Sequence, residues 1–155
     1  MEIILKRVEA GIIIPLRHSV LREGQPLETA HFEGDDKEAT RHFAAFRDAD
    51  RELTSPLACA SFMHNIFMDI DSMHLRGMAT HEEFRGMGIG SRLLDYSIEY
   101  IIKESGIRFF WCYARIKASN FYTKHGWEHT GEFVEFPGVG VHKVMIKNVA
   151  NHKSP

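Results

Sequence analysis

Arg85-Gly86-Met87-Gly88-Ile89-Gly90 is the stretch on which the reading of this chain turns. Behind it runs a strong amphipathic pattern, with Leu94, Ile98, Ile101 and Ile102 on one side and Arg92, Asp95, Glu99 and Lys103 on the other. That spacing predicts a helix beginning near Gly90, and Gly106 stops it as a glycine just past a helix end does. Ahead of the glycines, Met73 to Thr80 reads as a strand. Alternate glycines between a strand and a helix let main-chain N–H groups converge without interference from Cβ atoms. The helix adds its free N–H groups and the positive end of its dipole. Together they form a seat for an anion, and a phosphate or diphosphate suits it best. Arg85 supplies a fixed positive charge beside that seat.

Two familiar phosphate loops do not fit. A Walker loop requires Lys after its last glycine, where this chain has Ser91-Arg92. A dinucleotide fingerprint requires GxGxxG, but Ser91 stands where the final glycine belongs.

Outward from the loop the chain alternates between the two periodicities. Residues 2–8 read as a strand and Ile12 to Leu21 as a first helix, followed by polar, turn-rich sequence through Asp36. His42 to Arg47 and Leu57 to Met63 read as strands with a turn at Asp48-Ala49-Asp50, and a second turn around Asp69-Ile70-Asp71 leads into the strand before the loop. Sequential antiparallel pairing is the simplest topology for these strands. Arg108 to Ala114 is almost continuously apolar and reads as a strand buried on both faces. A short helix from Ala118 to His125 and a closing hairpin through Pro137-Gly138 complete the pattern. The expectation is an α/β chain with a mixed, mostly antiparallel twisted sheet of about six to seven strands and about four flanking helices.

The length of 155 residues fits one domain, expected over 1–150 with a short polar tail at 151–155. Hydrophobic residues make up 44% and charged residues 26%, so a folded core is expected. Nineteen basic against twenty-one acidic side chains give a net charge of −2, which removes the usual driving force for nucleic-acid binding. No run of about twenty apolar residues predicts a membrane span. Cys59 and Cys112 sit in apolar surroundings and read as reduced, buried thiols, which with the charged N-terminus points to the cytoplasm. No metal is predicted: His81-Glu82-Glu83-Phe84-Arg85 has arginine where a zinc motif needs its second histidine, and Gly126 separates His125 from His129.

The loop also resembles the phosphate motif of the GCN5-related N-acetyltransferase (GNAT) superfamily, [QR]-x-x-G-x-[GA], with Arg85, Gly88 and Gly90 at its defining positions. Downstream, Ala118-Ser119-Asn120-Phe121-Tyr122-Thr123-Lys124-His125-Gly126-Trp127 is similar to that family's A-x-x-F-Y-x-x-x-G-[FW] segment. The resemblance spans about 73–136, and two motifs at the right separation are far more specific than one. Two departures stand out: Glu82 replaces a common proline, and Tyr113 replaces a common asparagine.

The resemblance implies transfer of an acetyl group from acetyl-CoA to the primary amine of a small molecule or peptide. The alternative from another class is an idle acyl-CoA-binding sensor or interaction domain. It further implies that Arg85, Gly86, Met87, Gly88, Ile89, Gly90 and Ser91, with Asn120, hold the coenzyme, whose pantetheine arm pairs with Met78, Ala79 and Thr80 where two strands splay apart. Met78 N–H is then the oxyanion donor and Tyr122 the acid that protonates the leaving thiolate. His74 is the candidate base. It matches the catalytic glutamate of the histone-acetyltransferase branch, and period-two alternation puts it on the strand face of Met78 and Thr80. Many family members use ordered water instead, and homodimers are common among them. Arg17, Arg22, Phe32 and Glu33 are the candidate acceptor contacts.

Overall fold

A computed structural model describes residues 1–149; the expected polar tail at 151–155 lies outside the described residues. Seven strands form one sheet in the order β1-β2-β3-β4-β5-β7-β6. They are β1 (Ile3–Val8), β2 (Arg41–Arg47), β3 (Ala58–Phe67), β4 (Ile70–Thr80), β5 (Phe109–Arg115), β6 (Glu128–Phe136) and β7 (Gly140–Asn148). The helices are α1 (Ala10–Leu21), α2 (Ile89–Ser105) and α3 (Ser119–Lys124). The strand count and the mostly antiparallel sheet match expectation. Among the described residues three α-helices stand where about four were expected, and the turn-rich stretch after α1 adds only a 3-10 turn at Leu27–Ala30.

The strands β1 to β4 pair sequentially and antiparallel, as their order along the chain suggested. β3 and β4 run longer than their apolar cores. Their polar ends pair as well, Asn65 against Ser72, and the turn falls at Met68-Asp69, both with positive φ. Two central residues in that conformation give a tight hairpin whose twist matches its strands. β7 lies between β5 and β6, so the closing hairpin folds back to cover β5.

Two apolar layers enclose the sheet. On one face α2 buries Ile89, Leu93, Leu94, Ile98 and Ile101 against Phe43, Ala60, Phe62, Met73 and Leu75. Tyr122 of α3 and Trp127 join the same layer. On the other face α1 buries Ile13 and Leu16 against Ala44, Phe46, Cys59 and Ala79. Cys59 and Cys112 are both buried and free. No helix among the described residues is long and apolar enough to cross a membrane.

Candidate active site

Among the described residues β4 and β5 are the only parallel neighbours, and their ladder is short. It holds at Met73–Phe110 and His74–Trp111 and then stops, although β4 continues to Thr80 and β5 to Arg115. Beyond His74 the two strands diverge, leaving one edge of β4 without a strand partner. His81 N–H bonds Leu57 O on the β3 side. Since successive residues of a strand turn their main-chain groups to opposite sides, Thr80 and Met78 present theirs to the gap. Ala79 turns toward β3 and buries its side chain under α1. Of the three residues expected to pair with a pantetheine arm, the structure places two at the open edge.

The pairing of β3 with β4 changes register in this region. Cys59 faces Ala79 and Ser61 faces Arg76, so two steps on β3 span three on β4. The extra residue is a bulge, formed where Gly77 takes φ +65°. An inserted residue reverses the inside–outside alternation. Leu75 lies in the α2 layer, and after the bulge Met78 packs there too, while Ala79 lies in the α1 layer. His74 and Arg76 therefore occupy the α1 face, opposite Met78 and Thr80. The expectation that His74 shares their face is corrected: strict alternation holds only without a bulge.

His74 stacks on Trp111, ring centroids 3.7 Å apart and planes within 8°. Burial, aided by the Arg76 charge, lowers its pKa to about 3. An imidazole this weakly basic stays neutral at any working pH.

Tyr122 is 8% exposed and its hydroxyl points to Met78 Sδ at 3.9 Å, which brings the expected acid to the open edge of β4. Burial, with the neighbouring Cys112, pushes its phenol well above the ordinary value, so it remains protonated.

The anion seat forms at the start of α2. Gly86 and Gly88 both have φ +78°, a conformation that costs other residues energy. Among the described residues, the N–H groups of Gly86, Met87 and Gly88 have no main-chain acceptor. Those of Ile89, Gly90 and Ser91 open the helix and have none by geometry. These are the donors a diphosphate requires. Gly90 serves a second purpose: a Cβ there would stand 3.2 Å from Thr80 Oγ1, so its absence lets α2 approach β4 closely. Arg85 donates through Nε to Thr80 O at 3.3 Å, tying the loop to the same edge. Asn120 is exposed on α3.

A network missed in the sequence stands beside the seat. His125 bridges Asp95 Oδ1, at 3.1 Å, and Ser91 Oγ, at 3.0 Å, fixing the hydroxyl in the first turn of α2. Only the four-residue spacing of Ser91 and Asp95 on one helix could have hinted at it.

A cleft of about 310 Å³ opens at the splay. Its lining includes Met78 and Tyr122 together with His74, Arg22, Arg76 and Phe32. Arg17, expected as an acceptor contact, is absent from that lining and fully buried. It donates to Asp35 at 2.6 and 3.1 Å, to Ala30 O at 2.8 Å and to Ser61 Oγ at 2.8 Å. Burial alone would raise the Asp35 carboxyl, but the bonds from Arg17 and Phe32 N–H hold it below its ordinary value. Arg17 thus pins the loop after α1 to the sheet. Glu33 is exposed and outside the cleft lining, which corrects that expectation as well.

A family model described as an acetyltransferase (GNAT) domain matches residues 38–129. The chain is also 34% identical over 145 residues to the uncharacterized N-acetyltransferase YitI of Bacillus subtilis (strain 168), covering 94% of this chain and 95% of YitI. This chain belongs to the GNAT acetyltransferase family. Solved structures share its fold at lower identity. An aminoglycoside 6'-N-acetyltransferase complexed with coenzyme A superposes with a TM-score of 0.75 at 12% identity, over 97% of this chain and 99% of that one. A chain of the NatC complex bound to Gag peptide and CoA does so with a TM-score of 0.76 at 17% identity, over 97% of this chain and 100% of that one.

Proposed function

We propose that this GNAT chain transfers the acetyl group of acetyl-CoA directly to a primary amine of a small molecule or peptide. The observation that carries the reading is the convergence of the seat, the open main chain of Met78 and the Tyr122 hydroxyl on one side of the β4–β5 gap. The diphosphate of the co-substrate lies on the N–H groups of residues 86–91, with Arg85 as counter-charge. Met78 and Thr80 offer main-chain groups to the pantetheine arm, and the donor–acceptor spacing of a strand matches that of its amides.

Bound acetyl-CoA supplies a thioester carbonyl activated toward attack. Met78 N–H stabilises the negative charge that grows on the carbonyl oxygen as the amine nitrogen bonds to carbon. Tyr122 gives its proton to the sulfur as the carbon–sulfur bond breaks. The neutral amine loses one proton in the exchange; water in the open cleft takes it up, and the Tyr122 phenolate recovers a proton from that water, so the enzyme ends as it began. His74 is too weakly basic to hold that proton, so its part is to flank the cleft as a neutral ring on Trp111.

Calorimetric titration with acetyl-CoA, followed by thiol release with an amine panel, tests the reading. A Gly88→Glu chain should lose the binding heat. Nothing lies within 4 Å of a Cβ at that position, so the change costs the strain of a side chain at φ +78° and sets a carboxylate beside the seat. Full binding by that variant would refute the placement of the diphosphate.

A further inference from the structure

Phe32 gathers three guanidinium groups: Arg17 lies 4.0 Å, Arg76 4.8 Å and Arg22 5.3 Å from its ring centroid. Arg115, at the end of β5, lines the same cleft as Arg22 and Arg76. Like charges held this close repel one another, and each needs a counter-charge. Arg17 has Asp35, fully buried against it. Among the described residues, Arg22, Arg76 and Arg115 form no ion pair with a carboxylate. No Asp or Glu lines the cleft. Arg76 feels Asp35 and, less strongly, Glu33, but Asp35 is already paired with Arg17, and Glu33 is exposed and outside the lining. The strain is visible in the groups themselves: burial first, and then neighbouring arginines, depress both Arg22 and Arg76 below the ordinary guanidinium value. The whole chain carries a net charge of −2, so this positive wall is a local accumulation, not a sample of a basic surface.

The wall does not serve the diphosphate. The bulge at Gly77 turns Arg76 to the α1 face, away from Met78, Thr80 and the start of α2. Arg22 follows the last residue of α1 on that same side. The uncompensated charge therefore faces the half of the cleft that the co-substrate leaves to the acceptor.

We infer that the acceptor is a primary amine that also carries a carboxylate or phosphate group, held by Arg22 and Arg76 with Arg115 on the β5 side. The inference rests on the acetyl-transfer reading. Planar guanidinium groups bind either anion through paired hydrogen bonds, and the Phe32 ring holds two of them ready. An anion relieves the repulsion among the arginines. A polyamine meets it head-on.

The test pairs each anionic amine with a neutral partner: α-amino acids with their carboxamides, and aminoalkyl phosphates with the corresponding amino alcohols, with spermidine as the polycation. The expected result is kcat/KM for the anionic member about ten-fold or more above its partner, the range of a charge-assisted hydrogen bond. The gap should narrow at high salt and in Arg22→Gln, with the KM for acetyl-CoA unchanged. Arg76→Lys, which keeps the charge of the less exposed site, should retain part of the preference. The two anionic series tell carboxylate from phosphate. Equal turnover of neutral partners, or faster turnover of spermidine, overturns the inference while leaving acetyl transfer intact. Where no amine reacts, glutamate titrated calorimetrically into CoA-saturated protein decides. Heat that disappears in Arg22→Gln supports the anion site, and no heat refutes it, whereas the heat of CoA binding itself reports separately on the acetyltransferase reading.

Discussion

Replacing Gly77 with alanine tests whether the bulge is held in place from both sides. At φ +65° an alanine pays about 1–2 kcal/mol for its left-handed backbone alone. Its Cβ would also stand 2.7 Å from Arg17 Nε and 3.1 Å from Phe32 Cε2. Arg17 has no room to yield, because its other nitrogens are committed to Asp35, Ala30 and Ser61. If the clash parts Arg17 from Asp35, a buried charge loses its partner, at a cost of about 3–5 kcal/mol. With the backbone cost added, the expected loss for Gly77→Ala is ~4–7 kcal/mol. Gly106→Ala is the matched control. It has φ +76° but nothing within 4 Å of its Cβ, so it should lose only ~1–2 kcal/mol. Urea denaturation midpoints read the difference. A 3 kcal/mol loss corresponds to a fall in Tm of about 6–12 °C for a chain of this size. If the two variants agree within about 0.5 kcal/mol, the ordinary error of such comparisons, the close packing of Arg17 on the bulge is wrong.

Two further outcomes follow from the site. Tyr122→Phe should keep acetyl-CoA affinity and lower kcat about ten-fold or more, within the range for loss of a general acid; unchanged turnover would remove the hydroxyl from the reaction, and no turnover in either protein would favour a binding domain. Stability should fall as pH drops below about 6.5, because His74 and His42 are held neutral in the folded chain by burial while the unfolded chain takes up their protons. Asp35, shifted the other way, keeps its contribution until pH falls below its unfolded value of 3.8 and so does not offset the loss. His74→Gln should then lose about 2 kcal/mol less than the parent between pH 7 and pH 5, and identical pH profiles in denaturant melts would show that His74 is accessible to protons.

The anion seat was legible in the sequence because its logic is local. Glycines, the helix stripe from Leu94 to Ile102 and Arg85 lie within eighteen residues, and each follows from periodicity or backbone freedom. Tyr122 was found through a motif alone, since its helix of six residues is too short to show a periodic face. What stayed hidden depends on pairing between distant strands. The bulge at Gly77 reverses the sides of β4, and nothing in Leu75-Arg76-Gly77-Met78 distinguishes an extended glycine from a left-handed one. Nor did the sequence mark the first half of β6, where the register shift between His129 and Phe133 breaks the alternation. Arg17 read as an acceptor contact because its partner, Asp35, lies eighteen positions away in a loop without periodicity.

The single inserted residue in β4 makes that strand a partition whose two sides can drift independently. Substitutions at 74 and 76 reshape one compartment while 78 and 80 continue to furnish the other. On the proposed reading, acceptor preference can change without disturbing the side that holds acetyl-CoA. Gly77, where the partition is sealed, has the least room for a side chain of any described glycine.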